Sequence, residues 1–227
     1  VTSRGLFDAV LAEPRHQVLA ALAALLERGS LEEISRVLKV RGALLDLAHE
    51  STRRLVAGTA PTLPTWQRYQ GVVWANLNPA TLNDEIRGRI LVPSGLYGLS
   101  GGLDELADYR LTMKVALAGV GNIASFWRSA VTRSLEDLGG ETFVSFLPKE
   151  HASVISRAPE LTKRMIEVSF LRHGDAGVAG HDAKAVKGVA ARRVLENGIG
   201  AIEGFRWKGW RGRRTEWGYE IRAPRGS

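Results

Sequence analysis

Cysteine is absent from this chain of 227 residues. That absence removes disulfides, thiolate metal ligands, iron–sulfur clusters and cysteine nucleophiles together, and it agrees with a reducing cytosol. No uninterrupted apolar run approaches the ~18–20 residues that cross a bilayer. The opening Val1-Thr2-Ser3-Arg4-Gly5 carries no secretory pattern. Internal repeats and low-complexity tracts are missing too. Acidic residues are outnumbered, with 24 Asp and Glu against 31 Lys and Arg, for a formal charge of +7. The surplus favours anionic partners without identifying one. What is there, 44% hydrophobic and 24% charged residues, fits a globular protein of one large domain or two small ones sharing a core. Membrane, secreted-scaffold and fibrous classes are set aside, and a cytoplasmic location is expected.

Residues 1–60 read as a helical subregion. Leu19, Leu22, Leu25 and Leu26 share one face of a helix beginning after Pro14. Ser30 and Glu33 have the spacing of a capping box, and the helix they start turns Leu31, Ile34, Val37 and Leu38 inward and ends near Val40. A third helix runs through Leu44, Leu45, Leu47 and Ala48 toward Gly58. Pro61 and Pro64 then impose an extended connection at 59–64, the only plausible boundary.

Residues 61–227 read as a mixed α/β region. Arg89–Val92 is a strand ended by Pro93, and Tyr109–Ala116 is β-compatible. Asn122 caps a helix through Phe126, Trp127, Ala130 and Leu135 to the Gly139-Gly140 stop. Strands follow at 142–147 and 164–171, then a helix capped by Asp182 through Val186, Val189 and Val194 to Asn197-Gly198. The tail from Phe205 to Ile221 reads as a hairpin turning at Arg211-Gly212-Arg213-Arg214. A single domain over 1–227 is expected.

Charge concentrates at the carboxyl end. Arg206, Lys208, Arg211, Arg213, Arg214, Arg222 and Arg225 face only Glu203, Glu216 and Glu220, with Trp207, Trp210 and Trp217 interleaved. Cations that follow phosphates and aromatics that stack on bases would make a nucleic-acid surface. Alternation offers a plainer reading, with Phe205 and Trp207 on a covered face and Arg206 and Lys208 in water. Upstream, Lys184, Lys187 and Gly188 share one helix side, with Arg192 close to it. The following Gly198-Ile199-Gly200 turn either exposes amides to a phosphate or simply stops the helix.

Other clusters carry weaker signals. His173, Asp175, His181 and Asp182 around a glycine-rich turn have metal-ligand donor types but match no established spacing. A polar hairpin tip is the plainer account, so no metal and no cofactor is expected. Gly119-Val120-Gly121 lacks the third glycine of a dinucleotide fingerprint. Ser94-Gly95-Leu96-Tyr97-Gly98 is no nucleophile elbow. Even so, Ser94, Tyr97, Asp104, Tyr109 and Arg110 gather polar groups where a buried strand meets a glycine-rich loop. Arg110 is suited to clamp an anion, and Tyr97 or Tyr109 to donate a proton or to stack. Hydrogen bonds that merely pack the loop are the alternative.

These segments, in this order, resemble the YaaA family of bacterial peroxide stress proteins. The family carries a serine–glycine–leucine–tyrosine–glycine loop where Ser94–Gly98 stand and a tyrosine–arginine–leucine strand at Tyr109-Arg110-Leu111. Phe126-Trp127 and the Lys184, Lys187, Gly188, Arg192, Glu196-Asn197 helix also match, and the similarity runs from about Val18 to the end. The resemblance implies an α/β cantaloupe fold with a mixed sheet, a positively charged cleft and a helix-hairpin-helix-like element. It implies cytoplasmic DNA binding and a role in limiting oxidative damage, and it brings no settled reaction. Lys184, Lys187 and Arg192 become candidate cleft cations, with Ser94, Tyr97, Tyr109 and Arg110 on the opposing wall, and Gly198 and Gly200 join the candidate anion-binding residues. The chain begins at Val1 close to its first helix where the family opens with a strand, so it reads as a divergent or N-terminally shortened member. Residues 146–151 depart from the family consensus, and the 173–181 hairpin looks shortened.

The leading expectation is a DNA-binding protein of the peroxide response, weakly sequence-specific and free of membrane contact. The alternative is an enzyme of specialised metabolism acting on a small anionic or nucleobase-like substrate. Lys184 or Lys187 would then be base or clamp, Tyr97 or Tyr109 the acid, and Arg110 the anchor of a carboxylate or phosphate. A third reading is a basic interaction protein with an acidic partner. Oligomeric state is not legible.

Overall fold

The computed structural model describes residues 5–139, 142–171, 181–216 and 218–224. Along the chain come α1 (Asp8–Arg28), α2 (Leu31–Leu38), α3 (Ala43–Val56), β1 (Thr62–Pro64), α4 (Thr65–Arg68), α5 (Val72–Leu77) and α6 (Asp84–Arg87). Then follow β2 (Leu91–Ser94), β3 (Gly98–Gly101), β4 (Glu105–Ala107), β5 (Ala116–Leu117), β6 (Gly121–Asn122), α7 (Ile123–Asp137), β7 (Phe143–Ser145) and α8 (Lys149–Ala152). The last elements are α9 (Pro159–Arg164), β8 (Met165–Leu171), α10 (His181–Asn197), a 3-10 turn (Ile199–Ile202), β9 (Arg206–Trp207), β10 (Trp210–Thr215) and β11 (Gly218–Arg222). The mixed α/β class is as expected. The chain divides into two compact units: Val1–Arg68, Ile90–Gly139 and Leu147–Ala158 form one, and Tyr69–Arg89, Gly140–Phe146 and Pro159–Ser227 the other.

In the first unit, α1 starts at Asp8, so Pro14 lies inside the helix instead of opening it. A proline there removes one backbone bond, and the helix is held by its buried stripe of Leu11, Arg15, Val18 and Leu22. Of the four leucines expected on the inner face, only Leu22 is fully buried. By length and composition alone α1 could cross a membrane. The capping box forms as read: the Glu33 N–H donates to Ser30 Oγ at 3.2 Å, and the Ser30 N–H donates to Glu33 Oε2 at 2.9 Å. Leu31, expected inside, is 68% exposed, because the first residue of α2 precedes the face that carries Ile34, Val37 and Leu38.

The proline stretch at 59–64 is not a boundary. Its β1 pairs antiparallel with β4, Thr62 opposite Ala107 and Pro64 opposite Glu105, inside the first unit. β2 includes Pro93, tolerable in a two-stranded ribbon with β3. Tyr109–Val115 buries alternate residues, Leu111, Met113 and Val115, yet is not a strand. Its carbonyls serve the start of α7 instead: Ile123 N–H donates to Val115 O at 3.0 Å and Ala124 N–H to Met113 O at 3.2 Å. Asn122 caps α7, its Oδ1 accepting from Ser125 N–H at 3.0 Å.

The second unit is built on a sheet of order β7-β8-β11-β10-β9, parallel between β7, β8 and β11 and antiparallel beyond. Val168, Phe170, Trp210 and Ile221 cluster with Val186 and Ala190 of α10, with Ile202 and Phe205 closing the end. The tail is three strands, not one hairpin. It reverses at Lys208-Gly209 and again after Thr215, so Arg211–Arg214 lie within β10 and not at a turn. Asp182 sits in the first turn of α10, one residue inside its start. After α10 the Gly198-Ile199-Gly200 turn leads into one 3-10 turn and then β9. The second α-helix of a helix-hairpin-helix is therefore not formed. His173 and Asp175 lie outside the described residues, as does Trp217.

One glycine sets the helix packing of this unit. A Cβ on Gly188 would stand 2.2 Å from Val73 O and 2.7 Å from Asn76 Cβ, so α10 approaches α5 where a side chain is forbidden. In an open helix Gly→Ala stabilises by about 1 kcal/mol. Here Gly188→Ala is expected to destabilise by about 1–3 kcal/mol, read from denaturant midpoints. A stabilised variant would show that α5 does not press on this position.

Candidate functional site

The candidate residues divide between the two units. In the first, the three-residue turn joining β2 to β3 folds back on Ser94, which is 2% exposed. Ser94 Oγ accepts from Tyr97 N–H at 2.9 Å and donates to Tyr109 Oη at 2.8 Å. Tyr97 is also buried, and its Oη accepts from Ala107 N–H at 2.8 Å. The Tyr97 and Tyr109 rings meet edge to face with centroids 5.5 Å apart. Glycines make the turn feasible: a Cβ on Gly95 would lie 2.2 Å from Leu111 O, and one on Gly98 (φ 71°) 2.5 Å from the Trp127 ring. Trp127 Nε1–H donates to Gly95 O at 2.8 Å.

Ser94, Tyr97 and Tyr109 are thus brought together as the sequence led us to expect, while Tyr97 has a structural job. Tyr109 is half-buried, and the neighbouring Arg110 is exposed. Asp104 is scaffold: its carboxylate accepts from Leu6 N–H at 2.9 Å and Gly101 N–H at 2.8 Å. Arg15 went unnoticed in the sequence. It is 8% exposed, donates to Tyr97 O and Leu99 O at 3.0 Å each, and pairs with Asp8. The signal for it was an arginine in register with Leu11, Val18 and Leu22.

In the second unit, α10 carries the cations. Lys184 is exposed. Lys187 is half-buried with Nζ 5.1 Å from the Phe170 ring centroid, and burial pushes its amine below the ordinary lysine range. Arg192 is held in place: Nη1 donates to Leu77 O at 3.2 Å, Asn78 O at 3.0 Å and Thr81 Oγ1 at 2.6 Å, and Nε donates to Glu196 at 2.7 Å. A guanidinium at the carboxyl end of α5 satisfies orphan carbonyls and meets the negative end of that helix. Gly198 (φ 77°) and Gly200 are exposed, and nothing lies within 4 Å of where their Cβ atoms would be.

Two further features bear on chemistry. Trp210 is buried and Trp207 half-buried, on the core side of the sheet, which favours the packing account of these tryptophans. On the other side Glu220 is 7% exposed, and Arg222 and Arg213 hold its carboxyl below the usual range. Thr112 Oγ1 and His151 Nδ1 are buried without a hydrogen-bond partner among the described residues. Burial lowers the His151 pKa, with Glu150 opposing. A cleft of about 980 Å³ beside α2, lined by Glu33, Arg36, Lys39 and Arg41 among others, contains none of the candidates.

Residues 8–215 match the family described as peroxide stress protein YaaA. A UPF0246 protein of Bacteroides thetaiotaomicron is 30% identical over 213 residues, covering 87% of this chain and 83% of the relative. One from Streptomyces coelicolor is 30% identical over 193 residues (83% and 73%), and one from Legionella pneumophila 25% over 197 (80% and 77%).

Two outcomes follow from this geometry. Ser94→Ala leaves the buried Tyr97 N–H without its acceptor, which is expected to cost about 1–3 kcal/mol in chemical denaturation; a loss near zero would mean that the bond is dispensable. For Lys187, the folded state gives up its proton at lower pH than the unfolded chain. Between those two values the unfolded chain binds more protons, so this group makes stability rise with pH there, while below that window the cost of burying the charge is fully present. Lys187→Met should therefore melt higher at neutral pH and show a smaller alkaline gain than wild type. Parallel pH profiles of melting temperature for the two proteins would contradict the burial of the amine.

Proposed function

The chain belongs to the YaaA family of peroxide stress proteins, and from that premise we propose that it binds DNA in the cytoplasm as part of the response to peroxide. Supporting this is the position of Lys184 and Lys187 one turn apart on α10, ahead of the open Gly198–Gly200 turn. Lysines one turn apart share a helix side and can follow a phosphate backbone, while the Gly198 N–H is already given to Val194 O at 2.8 Å. Contacts of this kind follow the backbone, so binding is weakly sequence-specific and steeply salt-dependent. The formal charge of +7 works in the same direction. Arg192 contributes by holding α10 to α5, not by reaching for a phosphate.

A second reading is favoured by the lowered pKa of Lys187. In it the amine acts as a base on a small anionic or nucleobase-like substrate.

Salt titration separates the two readings. Replacing Lys184 and Lys187 with Ala should reduce the slope of log K against log salt for duplex DNA by about two counterions. An unchanged slope would remove both lysines from the phosphate contacts and leave the enzyme reading in front.

A further inference from the structure

The open face of the terminal sheet holds a feature that the α10 cations do not explain. Cross-strand register places Arg206 opposite Arg211, and Arg211 opposite Arg222, so three guanidinium side chains form one row across β9, β10 and β11. The next row pairs Arg213 with Glu220. Arg206 and Arg211 are exposed, and neither makes an ion pair or side-chain hydrogen bond to the described residues. Glu220 is the one carboxylate in these two rows, and it is engaged by Arg213 and by Arg222, whose Nε donates to Glu220 Oε1 at 2.9 Å.

The row has no freedom to turn away. Gly212 is pressed against the other side of the ribbon, where a Cβ would stand 2.0 Å from Ile202 O, and its N–H donates to Phe205 O at 2.9 Å. That anchors β10 with Arg211 and Arg213 outward. Glu167 and Ser169, also on this face, are exposed, and the row ends on β8 at half-buried Leu171. Like charges directly opposite on neighbouring strands destabilise a sheet. This arrangement gathers three of them, and no carboxylate among the described residues pairs with Arg206 or Arg211.

We propose that this row is a binding site for a short chain of linked phosphates, of the triphosphate type. Guanidinium forks grip phosphate oxygens in pairs, which ammonium groups do not. Neighbouring strands lie ~4.8 Å apart, so three side chains span roughly 10 Å, a length suited to a compact polyanion. Among the described tryptophans of the tail none offers bases a platform here, because Trp207 and Trp210 lie on the core side. The site therefore reads phosphate charge alone, and the assignment stands on sheet geometry independently of the DNA reading.

The test uses the whole chain and sodium tripolyphosphate at low salt, followed by calorimetry and by the shift in melting temperature. Arg206→Ser with Arg211→Ser leaves both Glu220 ion pairs in place. Arg193→Ser with Arg214→Ser removes the same charge from exposed positions off the row. Tripolyphosphate is expected to bind and to raise the melting temperature of wild type and of the off-row variant alike. The row variant should lose about tenfold or more in affinity and should melt no lower than wild type without ligand. The proposal is overturned if the row variant binds tripolyphosphate as well as wild type, if both double variants weaken equally, or if wild type binds none. Binding of a single-stranded oligonucleotide that needs the row while tripolyphosphate does not bind would overturn it as well.

Discussion

A strand offers its neighbours only alternate side chains, and in the second unit that limit decides where charge must go. Val168 and Phe170 on β8, Ile221 on β11 and Trp210 on β10 take the side facing α10. Each such residue is worth about 1.5–3 kcal/mol when buried, whereas a like-charge pair across strands costs about 0.2–1 kcal/mol. The apolar set therefore dictates the register, and Arg206, Arg211, Arg213 and Arg222 accept the other face together. α10 can lie over this sheet and also against α5 because Gly188 has no side chain to hold the helices apart. Arg192 then locks the pair by occupying the carbonyls at the end of α5.

The first unit solves a different problem, that of a buried turn with its own backbone to satisfy. Arg15 supplies donors to Tyr97 O and Leu99 O from within α1, and Asp8 balances its charge. Ser94 takes the Tyr97 amide, Tyr97 Oη takes the Ala107 amide, and Trp127 takes Gly95 O. Once these bonds are assigned, little of the serine–glycine–leucine–tyrosine–glycine loop is free for chemistry. It also holds the Tyr109 hydroxyl, which accepts a hydrogen bond from Ser94 Oγ at 2.8 Å. A motif that reads like a reactive loop is largely the support for one half-buried phenol and the exposed guanidinium beside it.

Local chemistry was legible in the sequence wherever one residue decides the outcome. The Ser30–Glu33 box, the Asn122 cap, the Gly198 stop and the union of Ser94 with Tyr97 and Tyr109 all rest on short-range hydrogen bonds or on the freedom of glycine at positive φ. What escaped depends on neighbours distant in sequence. Tyr109–Val115 has the alternation of a strand, but its carbonyls are taken by the start of α7. Arg211–Arg214 looks like a turn by composition, yet the reversal falls at Lys208-Gly209, where both residues adopt positive φ. Gly188 reads as a neutral member of a basic helix until Val73 O is placed against it. Arg15 hides for the opposite reason: a charge on an apolar stripe looks like an exposed exception until carbonyls from another element arrive.

Lys187 is where the two functional readings diverge physically. Its amine sits above the Phe170 ring, which favours the charged form, while burial disfavours it and prevails. A general base at neutral pH needs a pKa near 7. Shifts of ~3–5 units, enough to bring a lysine there, belong to fully buried groups, and Lys187 is only half-buried. Burial is partial, so water still reaches the amine. A phosphate arriving at this amine would replace the solvation lost to burial and draw the proton on more firmly, which makes ligand binding and protonation mutually reinforcing. On the DNA reading the amine is an anion clamp, a role that Lys184, exposed one turn away, can share; on the enzyme reading the lowered pKa serves a base.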